Sequence, residues 1–146
     1  MSSAETHLLD VNVLVALALR THQHHEDAHR ALAAMQRWAT TPVTESSFLR
    51  LMLNPAVGAR GHQVGEVISQ LRMMRADPRW VFLPDTASIV EGAVDLQPLG
   101  GHRQVTDFHL VSIARTHGAV LATFDGGLPP ALAPADRGAV VVLPVR

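Results

Sequence analysis

The feature that most constrains the fold is a short apolar run that ends in a carboxylate and gives way at once to a helical pattern. Leu8 and Leu9 run into Asp10, and an apolar stretch over 13–19 follows. This predicts a buried strand and then a buried helix, with Asp10 at the carboxyl end of the strand. In open parallel sheets that end of a strand faces the ligand-binding crevice. Asp10 is therefore either a helix cap or part of a binding site.

Two further acids stand at the same kind of junction. The run 40–43 predicts a strand that ends at Thr44 and Glu45. A helical pattern follows, and Thr44 is its predicted N-cap. The run 119–124 predicts another strand, directly before Asp125. Taken one at a time, these acids have ordinary explanations as first-turn or turn residues.

A fourth acid, Asp107, opens a helix. The helical pattern begins at Thr106 and stops at Gly118, which places Asp107 in the first turn. Strand-to-helix junctions of a parallel sheet lie on one edge, so we expect Asp107 to point at the same place as the other acids. The joint occurrence of four acids predicts one acidic pocket.

The remaining patterns complete an alternation of strands and helices. Two strands and three helices are predicted, over residues 25–37, 63–76, 80–83, 86–96 and 139–143. Asp85 is the predicted N-cap of the helix over 86–96. The alternation indicates an α/β fold, a three-layer domain with a mostly parallel central sheet of four to five strands flanked by helices. We expect residues 1–146 to form one domain.

Composition limits the classes of function. The chain contains no cysteine, and its longest apolar run, Val13 to Leu19, is far too short to span a bilayer, so we expect a soluble cytoplasmic protein. A formal net charge of −1 gives no bulk attraction to a polyanion. Any contact with nucleic acid must come from the local placement of basic residues.

Lysine is absent from the chain, since all 12 basic residues other than histidine are arginine. This excludes a phosphate-binding Walker lysine and a Schiff-base lysine. It also disfavours a phosphohydrolase with Asp10 as covalent nucleophile, because that chemistry usually pairs the aspartate with a lysine. His25 and His29 are one turn apart, as two zinc ligands would be, but no third ligand is nearby, which favours a solvated helix start.

Four carboxylates in one pocket require a positive counter-charge. Two carboxylates about 4 Å apart repel by roughly 4 kcal/mol at an effective dielectric of 20. Oxygen ligands without His or Cys select hard cations, so Mg²⁺ or Mn²⁺ is the expected cofactor. A water polarised by the ion would attack a phosphodiester, and no side-chain nucleophile is needed.

Neighbouring polar and basic residues would complete such a site. We expect Asn12, Thr106 and Thr123 to support the carboxylates through hydrogen bonds. Basic side chains that flank the acids in sequence are candidates for contacts with substrate phosphates. These candidates are Arg50, Arg60, His102 and Arg103.

The order and context of the acids resemble a known family. The segments that carry the likeness are LLDVN at 8–12, TES at 44–46, VTDFHL at 105–110 and ATFD at 122–125. Across essentially the whole chain they resemble a PIN-domain ribonuclease of the VapC type, the toxin of a type II toxin–antitoxin pair. Asn54-Pro55 and the approach to Asp107 over 100–104 resemble one VapC subgroup.

The resemblance implies an endoribonuclease that depends on Mg²⁺ or Mn²⁺ and inhibits translation and growth by cutting RNA. It places the catalytic acids at Asp10, Glu45, Asp107 and Asp125, with Asp10 and Asp107 as the metal ligands. It also implies a homodimer and a VapB-type antitoxin that covers the acidic groove. Many members carry a further acid two residues after the fourth, and here Gly127 stands in that place.

The main alternative from another class is a catalytically silent module that binds Mg²⁺ and serves RNA binding or signalling. Such a module would retain RNA without cutting it under every metal condition. Metal-dependent cleavage that is lost in an Asp10→Asn variant separates the two hypotheses.

Overall fold

Residues 5–57 and 62–146 are described by the structure, a computed structural model. In this part of the chain a five-stranded sheet has the order β3-β2-β1-β4-β5, and every pair of neighbouring strands is parallel. The strands are β1 (Thr6–Leu9), β2 (Arg37–Thr40), β3 (Trp80–Phe82), β4 (Val120–Thr123) and β5 (Val140–Val142). The predicted α/β fold with a parallel central sheet is confirmed.

The sheet is accompanied by α-helices and two short 3-10 helices. The α-helices are α1 (Val11–Ala18), α2 (His25–Ala34), α3 (Pro42–Leu53), α4 (Val64–Arg75), α5 (Val105–Thr116) and α6 (Leu128–Ala131). The 3-10 helices cover His102–Gln104 and Pro134–Ala139. Within residues 5–57 and 62–146, no helix is long and apolar enough to cross a membrane.

Two hydrophobic clusters lie on opposite faces of the sheet. Successive residues of a strand point to opposite faces, and the central strand β1 shows this directly. Leu9 belongs to the cluster built with α1 to α4, whereas Leu8 belongs to the cluster built with α5 and α6. Both leucines are fully buried. The result is the expected three-layer arrangement, with the ends of β1 and β4 at the centre of one edge.

The carboxyl end of α1 is fixed by side chains from two other helices. His25 Nδ1 and His29 Nε2 donate hydrogen bonds to the carbonyl oxygens of residues 16 and 17, over 2.8 and 3.0 Å. Gln70 Nε2 donates to the carbonyl oxygen of residue 18 over 3.0 Å. These carbonyls lack partners within the helix, so the bonds hold α1 against α2 and α4. The histidine pair is therefore not merely a solvated helix start.

The second strand ends earlier than predicted. β2 stops at Thr40 and α3 begins at Pro42, because the fixed φ of proline suits the first position of a helix, where no N–H is needed. The cap of α3 is consequently Thr41 and not Thr44. Thr44 lies one turn further on, and its Oγ1 accepts a hydrogen bond from the Thr41 N–H over 3.1 Å. Glu45 still falls in the first turn.

The helix predicted over 86–96 is wrong, since this segment has no regular secondary structure. Its contacts with α5 explain the difference. The backbone N–H of Ala93 donates to Ser112 Oγ over 3.2 Å, and the predicted cap Asp85 instead accepts a hydrogen bond from His109 Nε2 over 3.1 Å. These tertiary hydrogen bonds replace those of the local helix.

Gly92→Ala is expected to lower the free energy of unfolding by about 1–3 kcal/mol, as overpacking does in other cores. An added Cβ at Gly92 would lie 2.3 Å from Ser112 Oγ and 2.5 Å from the backbone oxygen of Ser88. Urea unfolding measures the change. Gly138→Ala is the matched control, because a Cβ there meets no atom within 4 Å. Equal unfolding midpoints for the two variants would contradict the packing described here.

Candidate active site

The carboxyl ends of β1 and β4 place two of the predicted acids side by side. Asp10 follows β1 and caps α1, and Asp125 lies two residues beyond the end of β4. The two strands pair directly, and the Asp10 N–H donates to the Ala122 carbonyl oxygen over 2.9 Å. Asp107 approaches from the first turn of α5, where its pKa responds to the charges of both other acids.

Asp10 is almost fully buried, with 4% of its surface exposed. Its Oδ1 accepts a hydrogen bond from the Val11 N–H over 2.7 Å, and its Oδ2 accepts one from the Thr123 hydroxyl over 2.8 Å. Burial raises the pKa of Asp10; the two hydrogen bonds oppose this rise, and the charge of Asp125 adds to it. Asp10 is thus both the helix cap and a buried acid next to another acid.

The hydroxyl of Thr123 joins Asp10 to two neighbours. Its Oγ1 accepts hydrogen bonds from Asn12 Nδ2 over 3.1 Å and from the Asp125 N–H over 3.0 Å. Since both acceptor positions are used, the hydroxyl proton is directed at Asp10. Of the residues predicted to support the acids, Thr123 contacts Asp10 directly and Asn12 is one hydrogen bond further away. Thr106 is exposed and forms no hydrogen bond to the acids in the described part of the chain.

Asp107 is partly buried and has an unusual pKa. Burial, followed by the negative charges of Asp10 and Asp125, raises the pKa of Asp107 to about 6. No described residue forms a hydrogen bond or an ion pair with its carboxylate. The three acids at the ends of β1, β4 and the start of α5 therefore repel one another.

Four of the other acids are paired with arginine. The pairs are Asp27 with Arg30, Glu45 with Arg75, Asp77 with Arg79 and Asp136 with Arg115. Asp10, Asp107 and Asp125 have no arginine or histidine partner among the described residues. An uncompensated group of this kind favours an external cation, because each nearby negative charge makes ionisation of the next less favourable.

Glu45 lies close to the carboxyl end of β2, but its carboxylate already has two partners. Oε2 accepts a hydrogen bond from the Thr40 hydroxyl over 2.6 Å, and Oε1 lies 3.3 Å from Arg75 Nη1. Its charge is not among the causes that raise the pKa of Asp10 or Asp107. The structure therefore couples three of the four predicted acids, whereas Glu45 follows the neighbouring strand β2 and has its own cation.

Arg75 holds Glu45 through a contact that the sequence did not indicate. Its guanidinium carbon lies 4.2 Å from the centre of the Trp80 ring, and Trp80 Nε1 donates to Thr40 Oγ1 over 3.0 Å. Arg75 and Thr40 both bond to Glu45, so these contacts form a closed ring of side chains from α3, α4, β3 and β2. Arg75 is 30 residues from Glu45 in the chain, so no local pattern could have indicated this pairing.

The structure describes three of the four basic residues that were predicted to contact phosphates. Arg50, His102 and Arg103 are exposed, and none forms an ion pair with a described residue. His102 and Arg103 lie in the 3-10 helix directly before α5, close in sequence to Asp107. Arg60 lies outside the described residues.

Comparison with known proteins adds independent information on the family. The profile of the PIN domain matches residues 7–130. The chain belongs to the PIN-domain family. Ribonuclease VapC39 of Mycobacterium tuberculosis is 38% identical over 141 residues, which cover 94% of this chain and 99% of that protein. Ribonuclease VapC38 of the same organism is 42% identical over 123 residues, with 83% and 86% covered. The expected VapC-type assignment is confirmed.

Solved structures show the same PIN-domain fold. VapC20 of Mycobacterium tuberculosis, described as a sarcin-ricin loop cleaving toxin, superposes with a TM-score of 0.60 at 18% identity, covering 86% of this chain and 94% of that one. VapBC2 from Rickettsia felis, bound to a promoter DNA fragment, superposes with a TM-score of 0.62 at 14% identity, covering 95% and 99%. At these identities the likeness concerns the fold alone.

Gly127, two residues after Asp125, is the position at which this PIN-domain chain departs from the family pattern. The Gly127 N–H donates to Asp125 Oδ1 over 2.9 Å. A Cβ at Gly127 would lie 3.2 Å from the same oxygen, which is a tight contact. A backbone hydrogen bond thus orients Asp125, and its Oδ2 has no partner among residues 5–57 and 62–146.

The PIN-domain acids offer only oxygen donors, which suit a hard divalent cation. Dependence on a divalent metal is typical of the family. In residues 5–57 and 62–146, no three His, Asp or Glu side chains stand close enough to hold one ion among them. The four-acid pocket is therefore less compact than predicted. Ions such as Mg²⁺ keep several waters and bind through one or two carboxylates, and Asp10 and Asp107 fit that requirement.

Proposed function

We propose that this VapC-type protein is an endoribonuclease toxin that hydrolyses RNA phosphodiester bonds with Mg²⁺ or Mn²⁺. The observation that carries the proposal is the group of Asp10, Asp107 and Asp125 at one edge of a parallel sheet, without a cationic partner among the described residues. Relatives at 38–42% identity that are named ribonucleases support the same activity. RNA cleavage by such a toxin inhibits translation and growth.

The acids have different roles in this proposal. Asp10 and Asp107 hold the ion, which when bound supplies the positive charge that activates a water and offsets the charge of the phosphate. The hydrogen bond from the Thr123 hydroxyl to Oδ2 orients Asp10 and favours its ionised form. Asp125 is exposed and its Oδ2 has no partner among the described residues, so we assign to this oxygen the role of accepting a proton from the attacking water. Glu45 contributes from the end of the neighbouring strand β2, where Arg75 holds its carboxylate.

The proposed partners follow from the same family. A VapB-type antitoxin neutralises the activity by covering the acidic edge, and the toxin itself forms a homodimer. Exposed Arg50, His102 and Arg103 are the proposed contacts for RNA phosphates, because phosphate contacts fix the register of a nucleic acid on a protein.

The test incubates purified protein, free of antitoxin, with total RNA in the presence of Mg²⁺, Mn²⁺ or EDTA. We expect discrete cuts that require the metal and that decrease at least about 100-fold in Asp10→Asn, since an interaction with the ion is worth several kcal/mol. Glu66→Gln is the matched control, because this acid is exposed in α4 and has no site contact.

Two results would count against the proposal. Cutting that persists unchanged in Asp10→Asn would refute the site assignment. RNA that is retained but never cut, under every metal condition, would favour the catalytically silent binding module.

A further inference from the structure

A cluster of two aromatic rings and one arginine lies on the edge strand β3 and the end of α4, with one ring exposed and the other two side chains partly buried. Its members are Arg75, Trp80 and Phe82, and we call them the β3 cluster. Trp80 and Phe82 are two residues apart, so their side chains share one face of the strand, with ring centres 6.4 Å apart. The guanidinium carbon of Arg75 lies 4.2 Å from the centre of the Trp80 ring and 5.8 Å from that of Phe82.

Phe82 is not explained by core packing. It is 42% exposed and belongs to neither of the two hydrophobic clusters. The chain has only six Phe and Trp residues, and Trp38, Phe48 and Phe108 are at most 1% exposed. The Phe82 ring is thus available for stacking with a partner outside the core.

The β3 cluster contacts Glu45, the acid that follows β2. Arg75 Nη1 bonds Glu45 Oε1, and Trp80 reaches Glu45 through the Thr40 hydroxyl. In the sheet β3 is two strands from β1, which at about 4.8 Å per strand puts its end roughly 10 Å from the end of β1. A nucleotide next to the phosphate at Asp10 is therefore within reach of the cluster.

We propose that the β3 cluster is a subsite for an unpaired nucleobase of the RNA substrate, with Phe82 as the stacking face. The proposal rests on the ribonuclease function given above. Every base has a π-face, and proteins hold unpaired RNA bases on aromatic rings and on guanidinium planes. The Phe82 ring supplies the first surface, and Arg75, whose side chain is partly exposed, supplies the second.

The chemistry of the β3 cluster favours a base over an apolar peptide. A guanidinium stacked on Trp80 is a polar, charged surface, and it stands next to a site that cleaves a charged backbone. An apolar helix of a protein partner would gain little from that charge. Antitoxin docking and contact between two copies of the chain are the competing uses of Phe82.

The binding test uses a fluorescein-labelled single-stranded RNA of mixed sequence, about 12 nucleotides long, in the size range of single-strand sites. Anisotropy is measured with Mg²⁺ on Asp10→Asn protein, with and without Phe82→Ala. We expect Phe82→Ala to weaken binding about tenfold, in line with the loss of one stacked base. An abasic oligomer of the same length should bind both proteins equally. Phe82→Trp keeps an aromatic ring, so it should bind RNA as the protein with phenylalanine does and not as Phe82→Ala does.

The matched control is Val142→Ala, which removes an exposed apolar side chain, 40% accessible, from the opposite edge strand β5. It should leave RNA binding unchanged. A second readout is photocrosslinking with 5-bromouridine RNA, which should label the peptide that contains Trp80 and Phe82. Unchanged affinity in Phe82→Ala, equal weakening for the abasic oligomer, or a crosslink elsewhere would overturn the proposal.

Two further measurements separate this proposal from its competitors. If Phe82→Ala changes the oligomeric state or the affinity for the antitoxin while RNA affinity stays the same, the base subsite is refuted. In protein with Asp10 intact, Phe82→Ala should raise KM about tenfold with kcat nearly unchanged, as expected for binding shared by substrate and transition state. A gel shows whether Asp10→Asn still cuts RNA, which tests the proposed active site. The anisotropy tests the base subsite separately.

Discussion

Asp107→Asn is expected to reduce RNA cleavage about a thousandfold and, in the absence of metal, to make the protein more stable at neutral pH. The loss of cleavage follows because the amide removes one of two proposed charged ligands, and metal charge is worth several kcal/mol in the transition state. The gain in stability follows because the carboxylate of Asp107 is partly buried and faces the negative charges of Asp10 and Asp125.

The gain in stability should depend on pH in a defined direction. The pKa of Asp107 is raised from 3.8 to about 6 in the folded protein. Between these values the folded state binds more protons than the unfolded state, so the stability of the unmodified protein falls as pH rises through that window. The unfavourable effect of the carboxylate is complete above about pH 6 and absent below about pH 4. The helix dipole favours a charge in the first turn of α5, but the raised pKa shows that burial and repulsion outweigh it.

Urea unfolding in EDTA at pH 4 and pH 8 measures this effect. Asp107→Asn should be more stable than the unmodified protein at pH 8, and the difference should disappear at pH 4. Addition of Mg²⁺ should stabilise the unmodified protein more than the variant, because a ligand that binds only the folded state raises its stability. Glu66→Gln serves again as the exposed control. A variant that is less stable at pH 8 in EDTA would contradict the proposed repulsion.

Thr123→Val is expected to lower the free energy of unfolding by about 2–4 kcal/mol. Valine has nearly the shape of threonine, so the effect comes from hydrogen bonds and not from a cavity. The Thr123 hydroxyl is fully buried, donates to Asp10 and accepts from Asn12 and the Asp125 N–H. Its removal leaves a buried carboxylate oxygen and two donors without this partner. The lost hydrogen bond also raises the pKa of Asp10 further, since that bond normally lowers it.

Thr123→Ser separates the hydroxyl from the methyl group. Serine keeps the hydroxyl that contacts Asp10, so its unfolding midpoint should lie much closer to that of the unmodified protein. Urea unfolding at pH 7 gives both values. If serine and valine destabilise the protein equally, the methyl packing of Thr123 matters and the hydrogen-bond network does not.

Much of the placement of the acids could be predicted from their positions relative to strand ends. The pattern from Leu8 to Leu19 indicated a strand, an acid and a helix, and Asp10 lies between β1 and α1 as expected. Asp107 and Asp125 were placed correctly at the start of α5 and after β4, because first-turn acids and Asp-Gly pairs have strong local signals. The family resemblance rested on these same segments.

Other features could not be predicted, because distant contacts decide them. The segment 86–96 has the composition of a helix, yet the hydrogen bond from Ala93 to Ser112 and the close approach of Gly92 to α5 hold it in an irregular path. Glu45 was expected to join the other acids, whereas Arg75 and Thr40 hold its carboxylate. Hydrogen-bond partners far apart in sequence leave no periodic signal.

The sequence by itself determined the alternation of parallel strands and helices, because apolar periodicity and capping residues act over a few neighbours. It also determined that Asp10 and Asp125 meet, since they follow two strands whose carboxyl ends share an edge. Only the tertiary structure decided which acids remain without a cation. That outcome depends on where each arginine reaches, and a flexible side chain can pair with an acid 2 residues away, as Arg79 does with Asp77, or 30 residues away, as Arg75 does with Glu45.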